Sequence, residues 1–155
     1  MEQNDDHEAE ILQSWQFNAK PWAAAVRNGE IESRKLITDR AIIESVMSRS
    51  PATVLDLGCG EGWLARELAS RGVEVTGIDA VSTLIELATR AGGGQFQTLS
   101  YAEVAAGKLA LSVDLMVCNF SLFGEESVAG IFRVAPSLLK PAGTLIVQTL
   151  HPDSA

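Results

Sequence analysis

The 155-residue chain sets 12 Lys and Arg against 20 Asp and Glu, a formal net charge of −8, so a phosphate-backbone partner, whose binding rests on Lys and Arg, is disfavoured and a small-molecule substrate is expected. That length is one domain's worth and buries roughly 68–70% of its unfolded surface. Its two cysteines, Cys59 and Cys118, lack metal-ligand spacing, no apolar run nears the roughly 20 residues of a membrane span, and the acidic "MEQNDDHEAE" start is unlike a targeting peptide; together these predict no metal, no membrane and a cytoplasmic location.

Residues 1–50 read as helix and residues 51–155 as alternating strands and helices, with the seam at "SRSPA". In the first part Ile11, Leu12, Trp15, Ala19, Trp22 and Val26 recur at helical spacing. Pro21 has no amide hydrogen and favours the first turn of a helix, so two short helices are expected rather than one. After "NGE", Ile31 to Arg49 forms a further helix with Leu36, Ile37, Ile43, Val46 and Met47 as its apolar side.

Beyond the seam, "TVLDL" is a β-branched strand, and the helix from Glu61 to Arg71 buries Leu64, Ala65, Leu68 and Ala69 before Gly72 closes it. "VEVTGI" is a second strand; Val81, Leu84, Ile85 and Ala88 then give a helix stopped by the glycines 92–94. "QFQTL" is a third strand, followed by a short helix over Ala102 to Lys108. "VDLMVCNF" is the most continuously apolar strand, which predicts a central position covered on both faces. Val128, Ile131, Phe132, Ala135 and Leu139 mark a helix interrupted by Pro136, and "TLIVQTL" after "KPAG" is the fifth strand. Alternation of this kind predicts an α/β fold, a Rossmann-like doubly wound parallel sheet in three layers with an N-terminal helical cap.

Gly58, Gly60 and Gly62 fall between the first strand and its helix, where an open parallel sheet leaves a ligand crevice. A dinucleotide fingerprint needs a small residue at the place Trp63 occupies, and Glu61 and Asp56 would oppose a pyrophosphate. The order is instead Asp56-Leu57-Gly58-Cys59-Gly60-Glu61-Gly62, whose carboxylates suit a ligand bearing positive charge. Asp79 ends the second strand and has two readings: acceptor for the vicinal hydroxyls of a ribose, or cap of the helix that follows.

The stretch "VLDLGCGEGWLARELASRGVEVTGIDA" resembles the cofactor-binding half of class I S-adenosylmethionine-dependent methyltransferases, and the likeness runs from Thr53 to Leu150. "LLKPAG" is similar to that family's leucine-lysine-proline-glycine-glycine turn, with Ala142 in place of one glycine, and "NAKPWAAAVRNGEIESRKL" to the entry segment of bacterial small-molecule methyltransferases. The resemblance implies S-adenosylmethionine as cofactor, S-adenosylhomocysteine as product and methyl transfer to a small-molecule acceptor. It implies that Gly58 and Gly60 meet the methionine portion, Asp79 the ribose, and Ala80 or Val81 the adenine, with Asp56, Cys59 and Gly62 completing the loop. Ser100 and Tyr101, with Ala102, would reach the adenine edge, where many relatives carry an acid that this chain lacks; Asn119 and Phe120 would face the methionine and its methyl group.

Trp15, Phe17 and Trp22 are either a lid over the cofactor or ordinary core, and Arg34 either a partner for the methionine carboxylate or, the preferred reading, a solvated charge. His7 and His151 have no catalytic partners in sequence, and no Ser or Cys stands in a nucleophilic pattern. A sulfonium methyl is already activated, so positioning is the main task and no catalytic residue is assigned. Relatives add a helix and antiparallel strands after the fifth strand, which this chain does not show; an uncovered fifth strand would be an open edge and favour self-association. Two other readings stay open: a non-catalytic S-adenosylmethionine-binding module and, less favoured, a dinucleotide-dependent oxidoreductase domain.

Overall fold

A computed structural model describes residues 2–151 and 153, with side chains from residue 7 onward. Helix α1 runs Glu2–Arg27; a π-helical turn, Arg34–Thr38, leads into α2, Asp39–Met47. Then follow β1 (Thr53–Leu57), α3 (Trp63–Ala69), β2 (Glu74–Asp79), α4 (Ser82–Ala91) and β3 (Gln95–Thr98). Helix α5 (Tyr101–Ala105), β4 (Val113–Asn119), α6 (Glu125–Leu138) and β5 (Leu139–Gln148) complete the order.

The five strands form one parallel sheet in the order β3-β2-β1-β4-β5. The order reverses between β1 and β4, which opens a crevice above their carboxyl ends. Because side chains alternate across a strand, β1 and β4 feed two cores. Leu55, Leu57, Met116 and Cys118 pack on one face with Val104 of α5 and Ile131 and Ala135 of α6. Val54, Leu115 and Val117 pack on the other with Ile42 and Val46 of α2 and Leu64 and Leu68 of α3. The apolar run in β4 is thus covered on both faces.

The expected break at Pro21 does not occur: α1 continues through it. Pro21 lies on the exposed side, while Ala19 and Ala23 are buried against Val81 and Leu84, so packing on the opposite face carries the helix past one missing hydrogen bond. Pro136 is likewise exposed inside an unbroken α6, held by buried Ile131, Ala135 and Leu138. The predicted helix over Ile31 to Arg49 contains the π-helical turn, and within it Leu36 and Ile37 are exposed rather than buried.

β5 begins earlier than expected, at Leu139. Its register slips between the Val113–Leu139 and Leu115–Thr144 pairs, so "KPAG" bulges out of the ladder. Ala142 occupies the left-handed region there, at φ 64°, where an L side chain is strained. Among the described residues no helix is long and apolar enough to cross a membrane. Ala142→Gly is expected to raise the unfolding free energy by up to about 1 kcal/mol in urea titration, the relief of backbone strain exceeding the entropy glycine adds to the unfolded chain.

Candidate cofactor and substrate cavity

Backbone amides of the glycine turn are tied to the end of β2. Gly58 and Cys59 both donate to the Ile78 carbonyl, at 2.8 and 2.9 Å, and Gly60 donates to Asp79 Oδ2 at 2.9 Å. Asp79 Oδ1 accepts from the Val81 amide at 2.9 Å, just before α4. Asp79 therefore braces the turn and the start of α4 together, and each of its oxygens keeps a second lone pair.

Each glycine of the turn has its own task. Gly58, at φ 75°, lies so close to Ser121 that a Cβ would strike the Ser121 Cβ. Gly62, at φ 85°, packs where a Cβ would come within 3.0 Å of Ala88 and 3.1 Å of Phe96. Gly60, at φ 58°, has nothing within 4 Å of the Cβ position: it faces open space. That space is a cavity of about 670 Å³.

Opposite the glycines, the end of β4 turns sharply. Phe120 adopts φ 53°, an outlier for a bulky residue, while its amide donates to the Gln148 carbonyl at 2.8 Å. The turn sets Ser121 over Gly58, where Ser121 Oγ donates to the Leu57 carbonyl at 2.6 Å and Tyr101 donates to the Ser121 carbonyl at 2.8 Å. The Ser100 hydroxyl and the Glu103 carboxylate form a capping box that fixes the start of α5.

The cavity gathers most of the residues singled out from the sequence. Gly58, Cys59, Gly60, Asp79, Ala80 and Val81 line it, as do Ser100, Tyr101, Asn119 and Phe120. Asp56 and Gly62 lie outside the lining: Asp56 is buried in β1 and Gly62 is in the packing against α4 and β3. Trp15 and Trp22 line the cavity from α1, whereas Phe17 is 86% exposed and takes no part. Among the described residues no group of three potential metal ligands occurs.

Arg34 is not a solvated charge. It lines the cavity, its guanidinium lies 5.7 Å from the Trp22 ring and 5.0 Å from the Trp63 ring, and Asp39 holds its Nε at 3.2 Å. Trp63, expected to clash with tight packing, instead forms one of these two faces; the tight packing falls to Gly62. Sequence reasoning also missed Glu61, which is buried at 1% exposure between Arg66, at 2.7 Å, and Arg27, at 2.8 Å. The only sequence signal for that cage is the i,i+5 spacing of Glu61 and Arg66; Arg27 comes from α1 and clamps it to the glycine turn.

Burial, and then the neighbouring Asp79 carboxylate, push Asp56 up to about 7 from the usual carboxylate value of 3.8. Asp79 is also raised by burial, against the lowering pull of the Val81 and Gly60 amides. Burial pushes Cys118 up to about 12 and Cys59 higher still, so neither is a thiolate nucleophile. Two buried oxygens of the lining, Asn119 Oδ1 and Thr38 Oγ1, have no hydrogen-bond partner within the protein and await a ligand's donor.

A parallel sheet with a cavity at its switch point, glycines on one side and a braced acid at the end of β2, defines a Rossmann-like ligand-binding class. The chain belongs to the methyltransferase-domain family, whose model matches residues 31–155. It is 36% identical over 103 residues to a ubiquinone biosynthesis O-methyltransferase of Albidiferax ferrireducens, covering 63% of this chain and 41% of that protein. A protein of the same name from Xanthomonas axonopodis pv. citri is 35% identical over 104 residues, covering 64% and 44%. The chain thus spans less than half the length of these curated relatives. PKMT2 from Rickettsia typhi, solved with AdoHcy, is 27% identical with a TM-score of 0.55, over 64% of this chain and 21% of that one. Magnesium protoporphyrin IX methyltransferase from Synechocystis, solved with SAH, shares the fold at a TM-score of 0.65 and 20% identity, over 85% and 68%.

Between pH 3.8 and about 7 the folded state holds the Asp56 proton that the unfolded chain has lost, so this group's contribution to stability falls as pH rises through that window. Asp56→Asn is expected to flatten that fall in urea titrations performed across the same pH range.

Proposed function

We propose that this chain binds S-adenosylmethionine in the cavity and presents its methyl group to a small-molecule acceptor, as a methyltransferase of the cytoplasm. The observation that carries the reading is Gly60, bare of side chain and facing open space beside the Asp79 carboxylate. The cavity fits such a ligand on its own chemistry. Free lone pairs of Asp79 suit vicinal ribose hydroxyls, and unpartnered Asn119 Oδ1 suits a donor such as an ammonium. Arg34, the sole cation among the described lining residues, presents a guanidinium fork held by two indoles and Asp39, suited to a carboxylate. Ala80, Val81, Ser100 and Tyr101 bound the adenine side, and Gly58, Cys59 and Phe120 the methionine side. Asp56 and Gly62 support the turn from outside the lining.

When bound, the cofactor supplies a methyl group already activated by its sulfonium. The protein's own part is positioning and exclusion of water. Helix α1 closes the cavity as a cap: Trp15 and Trp22 form its roof, and the Arg27–Glu61 pair fixes its C-terminal end to the glycine turn. Trp63 stands where a dinucleotide motif needs a small residue, which supports the adenosyl sulfonium over NAD. The relatives named for O-methylation support oxygen as the receiving atom. β5 forms one edge of the sheet among the described residues, with Val147 39% exposed, which supports self-association through that edge.

All three tryptophans of the chain, Trp15, Trp22 and Trp63, line the cavity, so titration with S-adenosylhomocysteine is expected to change intrinsic fluorescence saturably. In calorimetry Asp79→Ala is expected to weaken that binding by about 1–3 kcal/mol and Arg34→Gln by about 1.5–3 kcal/mol. Gly60→Val is expected to abolish it by filling the crevice. Binding of NAD without S-adenosylhomocysteine would overturn the reading. Transfer of labelled methyl to an acceptor separates an enzyme from a binding module, and sedimentation at rising concentration tests self-association, a monomer throughout contradicting it.

A further inference from the structure

The residues proposed for the cofactor stand on the turns after β1, β2 and β3 and at the end of β4, which leaves the part of the cavity beneath α1 and beside the start of α6 to another occupant. Its walls are apolar and aromatic: Ile11, Leu12 and Trp15 from α1, Phe123 before α6, and Leu150 beyond β5. Trp15 and Phe123 are in ring contact, with centroids 5.9 Å apart and planes at 43°. One charged group stands there, Glu8. Its Oε1 accepts from the Ser127 amide at 3.3 Å, and its Oε2 accepts from the Ser127 hydroxyl.

The fold makes room for that carboxylate. Gly124, at φ 85°, lies where a Cβ would strike Glu8, so no other residue suits the position on either steric or backbone grounds. The two bonds from Ser127 leave Glu8 with free lone pairs on the cavity side. Arg34, the sole lining cation among the described residues, is held away from it between Trp22 and Trp63. Glu61, another lining acid, is already answered by Arg27 and Arg66.

We infer that this half of the cavity is the acceptor subsite and that it takes a small, ring-bearing cation, its ammonium on Glu8 and its ring against Trp15 and Phe123. The assignment rests on the methyl-transfer reading above. A carboxylate beside aromatic faces in a water-poor cleft attracts an ammonium through charge and through the ring quadrupoles, and the chain's net charge of −8 draws cations toward it. A carboxylate or phosphate on the acceptor would meet Glu8 as a like charge. The ammonium is a handle; it does not fix which atom of the acceptor is methylated.

Three phenols of similar size and different charge test the subsite: tyramine, 4-ethylphenol and 3-(4-hydroxyphenyl)propionate, each titrated by fluorescence into the full chain saturated with S-adenosylhomocysteine. Tyramine is expected to bind at least about tenfold tighter than 4-ethylphenol, and the propionate weakest. Added salt is expected to weaken tyramine alone. Glu8→Gln is expected to erase the preference for tyramine over 4-ethylphenol, and Phe123→Leu to weaken tyramine while the protein still binds S-adenosylhomocysteine. Equal binding of tyramine and 4-ethylphenol, a preference that survives in Glu8→Gln, or no saturable tyramine binding would overturn the subsite and leave the cofactor reading intact. If S-adenosylhomocysteine itself fails to bind, the cofactor reading falls and the subsite falls with it.

Discussion

The last turn of β2 holds the site together. Three successive amides of the glycine turn, from Gly58, Cys59 and Gly60, spend their protons on Ile78 and Asp79, and Asp79 in turn fixes the amide that precedes α4. A turn bound this fully to its neighbouring strand cannot drift, so the open space at Gly60 is a fixed void rather than a fluctuation. The glycines divide the labour. Gly58 and Gly62 let other parts of the protein approach, and Gly60 leaves a ligand room.

A second layer of order comes from charge. Glu61 is almost wholly buried at the mouth of α3, where an unpaired carboxylate would be severely destabilising, and two arginines from different helices answer it. One of them, Arg27, comes from the end of α1, so a local electrostatic need of the glycine turn also pins the helix that roofs the cavity. Glu8 and Ser127 do the same at the other end of α1. The roof is thereby held near both ends, with Ala19 and Ala23 packed on Val81 and Leu84 between them.

Much of this was legible in the sequence. "TVLDL", "VEVTGI" and "VDLMVCNF" announced their strands because β-branched and apolar residues fall in short runs between turn signals, and the spacing of Leu64, Ala65 and Leu68 announced α3. The glycine turn and Asp79 were legible because backbone freedom and an acid at a strand end are local properties. What escaped was non-local. Pro21 and Pro136 were expected to break helices that buried residues on the opposite face hold intact. The Arg27–Glu61 and Glu8–Ser127 pairs span 34 and 119 residues, and no periodicity marks them. Arg34 looked like a solvent-facing charge because its two indole neighbours come from different helices.

The π-helical turn at Arg34–Thr38 holds one residue more than an α-helical turn would, and it delivers both Arg34 and Thr38 to the cavity wall. Such a turn is the trace an inserted residue leaves in a helix that keeps its downstream packing. α2 stays seated on the sheet through Ile42 and Val46, while everything upstream is rotated by the extra residue. Losing a single codon in this segment would restore the ordinary helix and swing the guanidinium off the wall without disturbing the sheet. Among descendants of such a chain, ligand preference could therefore change by insertion and deletion in one short helix as readily as by substitution.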